Sequence, residues 1–267
     1  MIKQLALCLF VPAFAGFAEE DGTFLVRSFS EEVNRRLDVP EAEQQHYAGL
    51  LANALAEKNL TNPQYVVIVD RNANVQGLMI YWMQANGAFR FIGGAAISTG
   101  LPGRFDHFRT PIGVFEHGTE NPDFRAEGTR NELGIRGYGR KGMRIFDFGW
   151  QQGERGWGQG GRSQMRFQMH ATDPDVLESR LGTAQSKGCI RIPASLNVFL
   201  DRHGILDGDY DEALSQGRAQ GRSFWVFSPH HEPKPWAGRF LVVVDSEQKV
   251  RSDWTPLPAK NQLISAR

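Results

Sequence analysis

The sequence is short of cysteine. Only Cys8 and Cys189 occur in 267 residues, so a disulfide framework is excluded as the source of stability. It also lacks an excess of either charge, with 30 Lys+Arg against 30 Asp+Glu. No basic block or basic–aromatic stripe occurs, which argues against nucleic acid as a partner. No apolar run is long enough to span a bilayer. There is no HExxH motif and no cysteine pair, and the adjacent His230 and His231 sit in a proline-rich loop and point apart. No metal and no cofactor are therefore expected. Glycines crowd 128–161, yet no Gly-Lys-Ser/Thr precedes a helix there, which excludes a phosphate loop.

What is present suits a soluble globular chain: 41% hydrophobic and 22% charged residues, with 29 glycines and 13 prolines marking many turns. The first 18 residues read as a secretory signal. Lys3 supplies the positive start, Leu5 to Phe14 the apolar stretch, and Gly16-Phe17-Ala18 the small residues at a cleavage site. Export to the periplasm or cell envelope is expected, and Cys189 is then the sole cysteine. Such a thiol is either buried and inert or put to use.

Residues 19–63 read as a helical extension. Ser30 is a plausible cap for a helix entering Glu31-Glu32, and a second helix runs from Glu41 to about Lys58 on the spacing of Tyr47, Leu50, Leu51, Ala54 and Leu55. From Gln64 the texture is β. Strands are expected at 65–70, 78–83, 89–92 and 95–100, with an Asn86-Gly87 hairpin, and short turns imply an antiparallel meander. The stretch 101–163 reads as loop-rich, with 151–162 as a flap. A strand is expected over 165–170, a helical turn or short helix over 174–181 and a helix from about Ala194 to Arg202. Strands at 223–227 and 239–245 follow. The boundaries are a main domain over 64–227 and a C-terminal strand and tail over 228–267. The fold class is mainly β, with short helices.

Cys189 follows Ser186-Lys187-Gly188 and precedes Ile190-Arg191-Ile192. A cysteine attacks a carbonyl as its thiolate, so it needs a base or a cation nearby. His170, at the end of the 165–170 strand, is the candidate base. The two can meet only if the chain folds back. Gly188 allows close approach of a substrate to the backbone, where N–H groups can stabilise an oxyanion. The imidazole needs an orienting acceptor, and backbone carbonyls near His170 or the Thr172 hydroxyl both qualify.

His170 followed at a distance by Ser186-Lys187-Gly188-Cys189-Ile190-Arg191 resembles the signature of the L,D-transpeptidase catalytic domain family (YkuD-type). Ser98-Thr99-Gly100 and Thr110-Pro111-Ile112-Gly113-Val114-Phe115 resemble its upstream stretches, in order. The resemblance covers about residues 64–227. It implies a β-sandwich-like domain that acts on peptidoglycan stem peptides in the cell envelope. It implies that Cys189 attacks the carbonyl next to meso-diaminopimelate, that the terminal D-alanine leaves, and that an amine resolves the thioester into a crosslink. Water in place of the amine gives a carboxypeptidase or endopeptidase, and a non-catalytic wall-binding module is the reading from another class. It also implies that the carbonyl of Ala171 orients His170. Ser186 is expected to hold the loop and Arg191 to meet a stem carboxylate. Lys187 stands where the family has histidine, and either favours the thiolate, meets a stem carboxylate or faces solvent.

Overall fold

A computed structural model describes residues 23–218, 224–227 and 231–256; the leader-like segment, Cys8 and His230 lie outside them. Helices α1 (Thr23–Glu32) and α2 (Glu41–Leu55) come first, and a 3-10 turn over Ala56–Lys58 prolongs α2. Asn59 then stops it in the left-handed region at φ 49°, a conformation that asparagine tolerates. The strands are β1 (Gln64–Asp70), β2 (Gly77–Met83), β3 (Phe89–Ala96), β4 (Phe108–Arg109), β5 (Gly113–Glu116), β6 (Phe124–Arg125), β7 (Arg144–Arg155) and β8 (Arg162–Ala171). A 3-10 turn (Glu178–Arg180), β9 (Ile190–Ile192), α3 (Ala194–Arg202), α4 (Gly208–Ser215) and β10 (Phe240–Val244) follow. The fold is mostly β, as the sequence leads one to expect.

Two sheets result. One has the order β3-β2-β1-β10-β5; the other has the order β4-β7-β8-β9, with β6 also paired to β7. Their facing sides share one apolar core. Val67, Val69, Leu78, Ile80, Phe115, Leu241 and Val243 from the first sheet meet Phe146, Phe148, Met165, Phe167, Met169, Ile190 and Ile192 from the second. Phe115 and Phe167 touch across it at 4.7 Å between ring centroids. Each such buried side chain contributes roughly 1.5–3 kcal/mol. The alternate residues of the first sheet, Val66, Ile68, Met79, Tyr81 and Val242, pack under Tyr47, Leu51 and Leu55 of α2. That sheet is covered on both faces, which is why β1 and β10 read as unbroken apolar runs.

Several local expectations fail. Ser30 lies inside α1, and its hydroxyl donates back to the Arg27 carbonyl at 2.7 Å rather than capping a helix. Tertiary contacts decide the matter: Phe29 packs edge-on to Phe199, and Glu32 pairs with Arg202 at the end of α3 and with His203 just beyond it. The 151–162 stretch is not loop throughout but the tip of the β7–β8 hairpin. Its first part belongs to β7 and its turn is pinned by Trp157, which packs against Phe108 at 4.8 Å. The loop-rich middle holds β4 to β7, and residues 224–227 form turns rather than a strand. Residues 174–181 do hold the helical turn expected there, a 3-10 turn over Glu178–Arg180. The meander holds for β1–β3, but β1 pairs with β10 and β8 with β9 in parallel.

At the start of β7, on the side that faces the core, lies a buried ionic cluster. The Arg144 guanidinium meets Asp123 at 2.6 Å and Asp207 at 2.7 Å, all three fully buried. Aromatic rings of Phe146, Tyr210 and Phe227 lie within 4.9–5.4 Å of it. His117 completes the cluster. Its Nδ1 lies 2.7 Å from the Leu206 carbonyl and its Nε2 lies 2.8 Å from Asp123. Two acceptors demand two ring N–H donors, so His117 is held as the imidazolium. Burial opposes that charge, but the Asp123 carboxylate outweighs it and the pKa is raised. A raised histidine contributes stability that is full below its unfolded value of about 6.5 and is lost as pH climbs through the folded value. Urea melts between pH 5.5 and 9 are expected to show the wild type losing stability at the alkaline end relative to His117→Gln. Parallel curves for the two proteins would count against the imidazolium.

Candidate active site

Along β8, Met165, Phe167 and Met169 enter the core, so Gln164, Arg166, Gln168 and His170 occupy the opposite face. Parallel pairing with β9 sets Met169 against Ile190 and His170 against Arg191. Cys189 therefore falls beside Gln168, two residues before His170 along β8 and on the same face of the sheet. The fold-back that the sequence requires is supplied by this β8–loop–β9 crossover.

The His170 ring is nearly fully buried, and its Nδ1 lies 2.9 Å from the carbonyl oxygen of Ala171. That acceptor assigns the proton to Nδ1 and leaves Nε2 as the basic nitrogen. Burial pushes the His170 pKa down to about 4; the bond to Ala171 raises it in part, and the Arg191 cation lowers it further. The ring is neutral at ordinary pH and can accept a proton. Thr172 is buried and donates its N–H to the Ile192 carbonyl, at the end of the β8–β9 pairing.

Cys189 is half-buried, and burial pushes its thiol up. A backbone hydrogen bond from Gln168 and the charge of Arg191 pull it back, while Asp147 pushes it further. At rest the pair is thus thiol and imidazole. A thiol in this state sheds its proton to a base only as it attacks, instead of drawing on a stored ion pair.

The loop before Cys189 is fixed by contacts from distant segments. Ser186 Oγ donates to the Cys189 carbonyl and accepts the Gly188 N–H at 3.0 Å. The Gly188 amide is thus occupied, and Gly188 serves the shape of the loop. Its φ is 132°, and a Cβ there would lie 2.6 Å from Met165 Cε and 3.1 Å from Phe108 Cβ. Thr110 Oγ1 donates to the Gly188 carbonyl at 2.7 Å and accepts the Gly100 N–H at 2.9 Å. The N–H groups of Gln185 and Ser186 both reach the Thr99 carbonyl. A Cβ on Gly100 would lie 2.0 Å from the Phe108 carbonyl oxygen. The Ser98-Thr99-Gly100, Thr110-Pro111 and Ser186–Cys189 stretches therefore converge on one loop.

Lys187 and Arg191 take different positions. The Lys187 ammonium pairs with Asp106 at 2.9 Å, both well exposed. The Arg191 side chain is partly buried, and its guanidinium makes one long contact, 3.5 Å to the Gln185 carbonyl. No carboxylate among the described residues lies in ion-pair range of it.

Several neighbours carry no motif and escape a reading of the sequence. The Tyr138 ring stands edge-on to His170 at 4.6 Å between centroids. Its loop is pinned by Arg136 to Asp173 and Asp175 and by Arg140 to Asp175. Gln168 Nε2 donates to Asp147 at 2.8 Å, and Arg166 Nε meets the same carboxylate at 2.9 Å. Only the alternation of polar residues along Gln164-Met165-Arg166-Phe167-Gln168 hinted at a functional outer face.

No family model matches the chain, and no curated protein does. Among solved structures it is similar to the helical cell shape determining protein Pgp2 from Campylobacter jejuni, at 16% identity and a TM-score of 0.33, over 77% of this chain and 57% of that one. It is also similar to a fused Zn-dependent amidase/peptidase/peptidoglycan-binding domain-containing protein from Clostridium acetobutylicum ATCC 824, at 11% identity and a TM-score of 0.27, over 60% of this chain and 57% of that one. The chain thus spans little more than half the length of either, and likeness at this level assigns neither fold nor function.

Proposed function

We propose that the protein is a peptidoglycan L,D-transpeptidase with Cys189 as nucleophile and His170 as base. The observation that carries this reading is the buried, neutral His170, its Nδ1 tied to the Ala171 carbonyl, in the strand row next to Cys189. Cys189 adds through sulfur to the meso-diaminopimelate carbonyl carbon that is bonded to the terminal D-alanine nitrogen, and its proton passes to His170 Nε2. The carbon–nitrogen bond breaks, and the departing D-alanine amine takes that proton. An acceptor amine then attacks the thioester, gives its proton to His170 and releases the Cys189 thiol, which closes the cycle. Arg191, without a carboxylate partner among the described residues, binds a stem carboxylate.

The test is incubation of the protein with defined tetrapeptide muropeptides, read by mass spectrometry. A crosslinked dimer with loss of D-alanine is expected. Tripeptide alone would indicate the hydrolase, and unchanged substrate would refute catalysis on these stems. Lys187 takes no part in this scheme. An exposed ion pair is worth ~0–1 kcal/mol, so Lys187→Ala is expected to change the acylation rate by less than about fivefold. A loss comparable to that of His170→Ala would return Lys187 to the reaction.

A further inference from the structure

The outer face of the second sheet carries a second arginine near Cys189. Arg166 lies on β8 two residues before Gln168, the residue beside Cys189, and the backbone carbonyl of Arg166 is 3.7 Å from the Cys189 sulfur. Alternate residues along a strand are spaced by about 7 Å. Arg166 with its cross-strand partner Trp150, Gln168 with Cys189, and His170 with Arg191 therefore form three successive rows. The nucleophile occupies the middle row, with one guanidinium on each side.

Arg166 is held firmly but is not used up. Only its Nε meets Asp147. Its guanidinium lies over the Trp150 ring at 5.8 Å, and that ring is 62% exposed. Neither Nη group has a hydrogen-bond partner among the described residues, and the side chain is one-third exposed. Asp147 is fully engaged, accepting from Gly149 N–H, Gln168 and Arg166. The result is a guanidinium with a fixed plane and two free Nη groups, a match for one carboxylate.

We propose that Arg166 is a specificity-determining residue that binds the terminal carboxylate of the departing D-amino acid, so that the enzyme selects stems ending one residue beyond the bond it breaks. This rests on the transpeptidase reading. Arg191 holds the stem on one side of Cys189 and Arg166 holds the leaving residue on the other. In the step itself, the sulfur–carbon bond forms as the carbon–nitrogen bond breaks, and the proton from Cys189 leaves with the D-amino acid through His170. The carboxylate on Arg166 undergoes no chemistry and departs with its residue.

The experiment compares a tetrapeptide donor with the same peptide carrying a C-terminal amide. Thioester formation on Cys189 is followed by intact-protein mass spectrometry under kcat/KM conditions. Wild type is expected to prefer the acid by about 10- to 100-fold. In Arg166→Gln the two rates are expected to converge through loss of the acid rate, and Arg166→Lys is expected to recover part of the preference. Thermal melts of each variant establish that it is folded. Equal acid and amide rates in wild type, or a preference that survives in folded Arg166→Gln, would overturn this assignment and leave the transpeptidase reading standing. No acylation by either peptide would overturn both.

Discussion

Replacing Cys189 by alanine is expected to abolish acyl transfer, and replacing His170 by alanine to slow it by roughly 10²- to 10⁴-fold. The two losses differ for a physical reason. Without Cys189 no thioester forms, so no adduct of the donor stem is expected by intact-protein mass spectrometry. Without His170 the thiol remains, but burial holds it protonated, and nothing accepts its proton as the bond forms. Among the described residues, Arg191 is the cation acting in its favour. The His170→Ala variant should therefore regain rate as pH rises and the thiolate is populated by solvent. Wild type has less to gain, because its base is neutral across the same range. Turnover by Cys189→Ala at the wild-type rate would end the proposal, and so would a His170→Ala variant with unaltered rate and pH profile.

The second large effect concerns stability. Arg144→Met is expected to cost about 3–5 kcal/mol in urea unfolding. Methionine fills much of the space, so volume is not the reason. Removal of the guanidinium strands the carboxylates of Asp123 and Asp207 in the interior, and one of them must bind a proton or leave. Asp207 is already pushed up by burial, while Asp123 is held low by His117 and Arg144. The double variant Arg144→Met/Asp207→Asn should recover part of the loss, because it removes one stranded charge. The damage should also reach the candidate site. Asp123 accepts the Asp147 N–H at 2.9 Å, and Asp147 anchors Gln168 and Arg166. A loss below about 1 kcal/mol, or a double variant weaker than the single one, would show that the cluster is not coupled in this way.

How much of this could be read from the sequence depends on the range of the interaction. The Tyr65–Asp70 run declared a strand because both faces of β1 are apolar, and α2 declared itself through Tyr47, Leu51 and Leu55. The 165–170 strand was legible from Met165, Phe167 and Met169 alternating with polar residues. The residues around the thiol were legible because their types are chemically unusual together. Arg144 was not. It is one of many arginines in a glycine-rich stretch, and only the fold brings Asp123, Asp201 and Asp207 around it. Tyr138 was missed for the same reason, since its loop reaches His170 through ion pairs with Asp173 and Asp175. Ser30 misled because Ser-Glu-Glu suits a helix start as a local pattern, while the Phe29 and Glu32 contacts to α3 override it.

The place of β10 bears on how the chain must be made. It is among the last segments described, yet it lies between β1 and β5 inside the first sheet. While a ribosome is still translating the middle of the chain, the first sheet cannot close. Until residues 240–244 emerge, β1 and β5 each expose a row of unpaired backbone groups and apolar side chains, the kind of edge that recruits other chains. Pairing β1 with β10 must bridge almost the entire intervening sequence, which places it late in folding. Nonsense mutations or clipping between Arg202 and Phe240 are therefore expected to yield aggregates even though every residue named in the chemistry is intact.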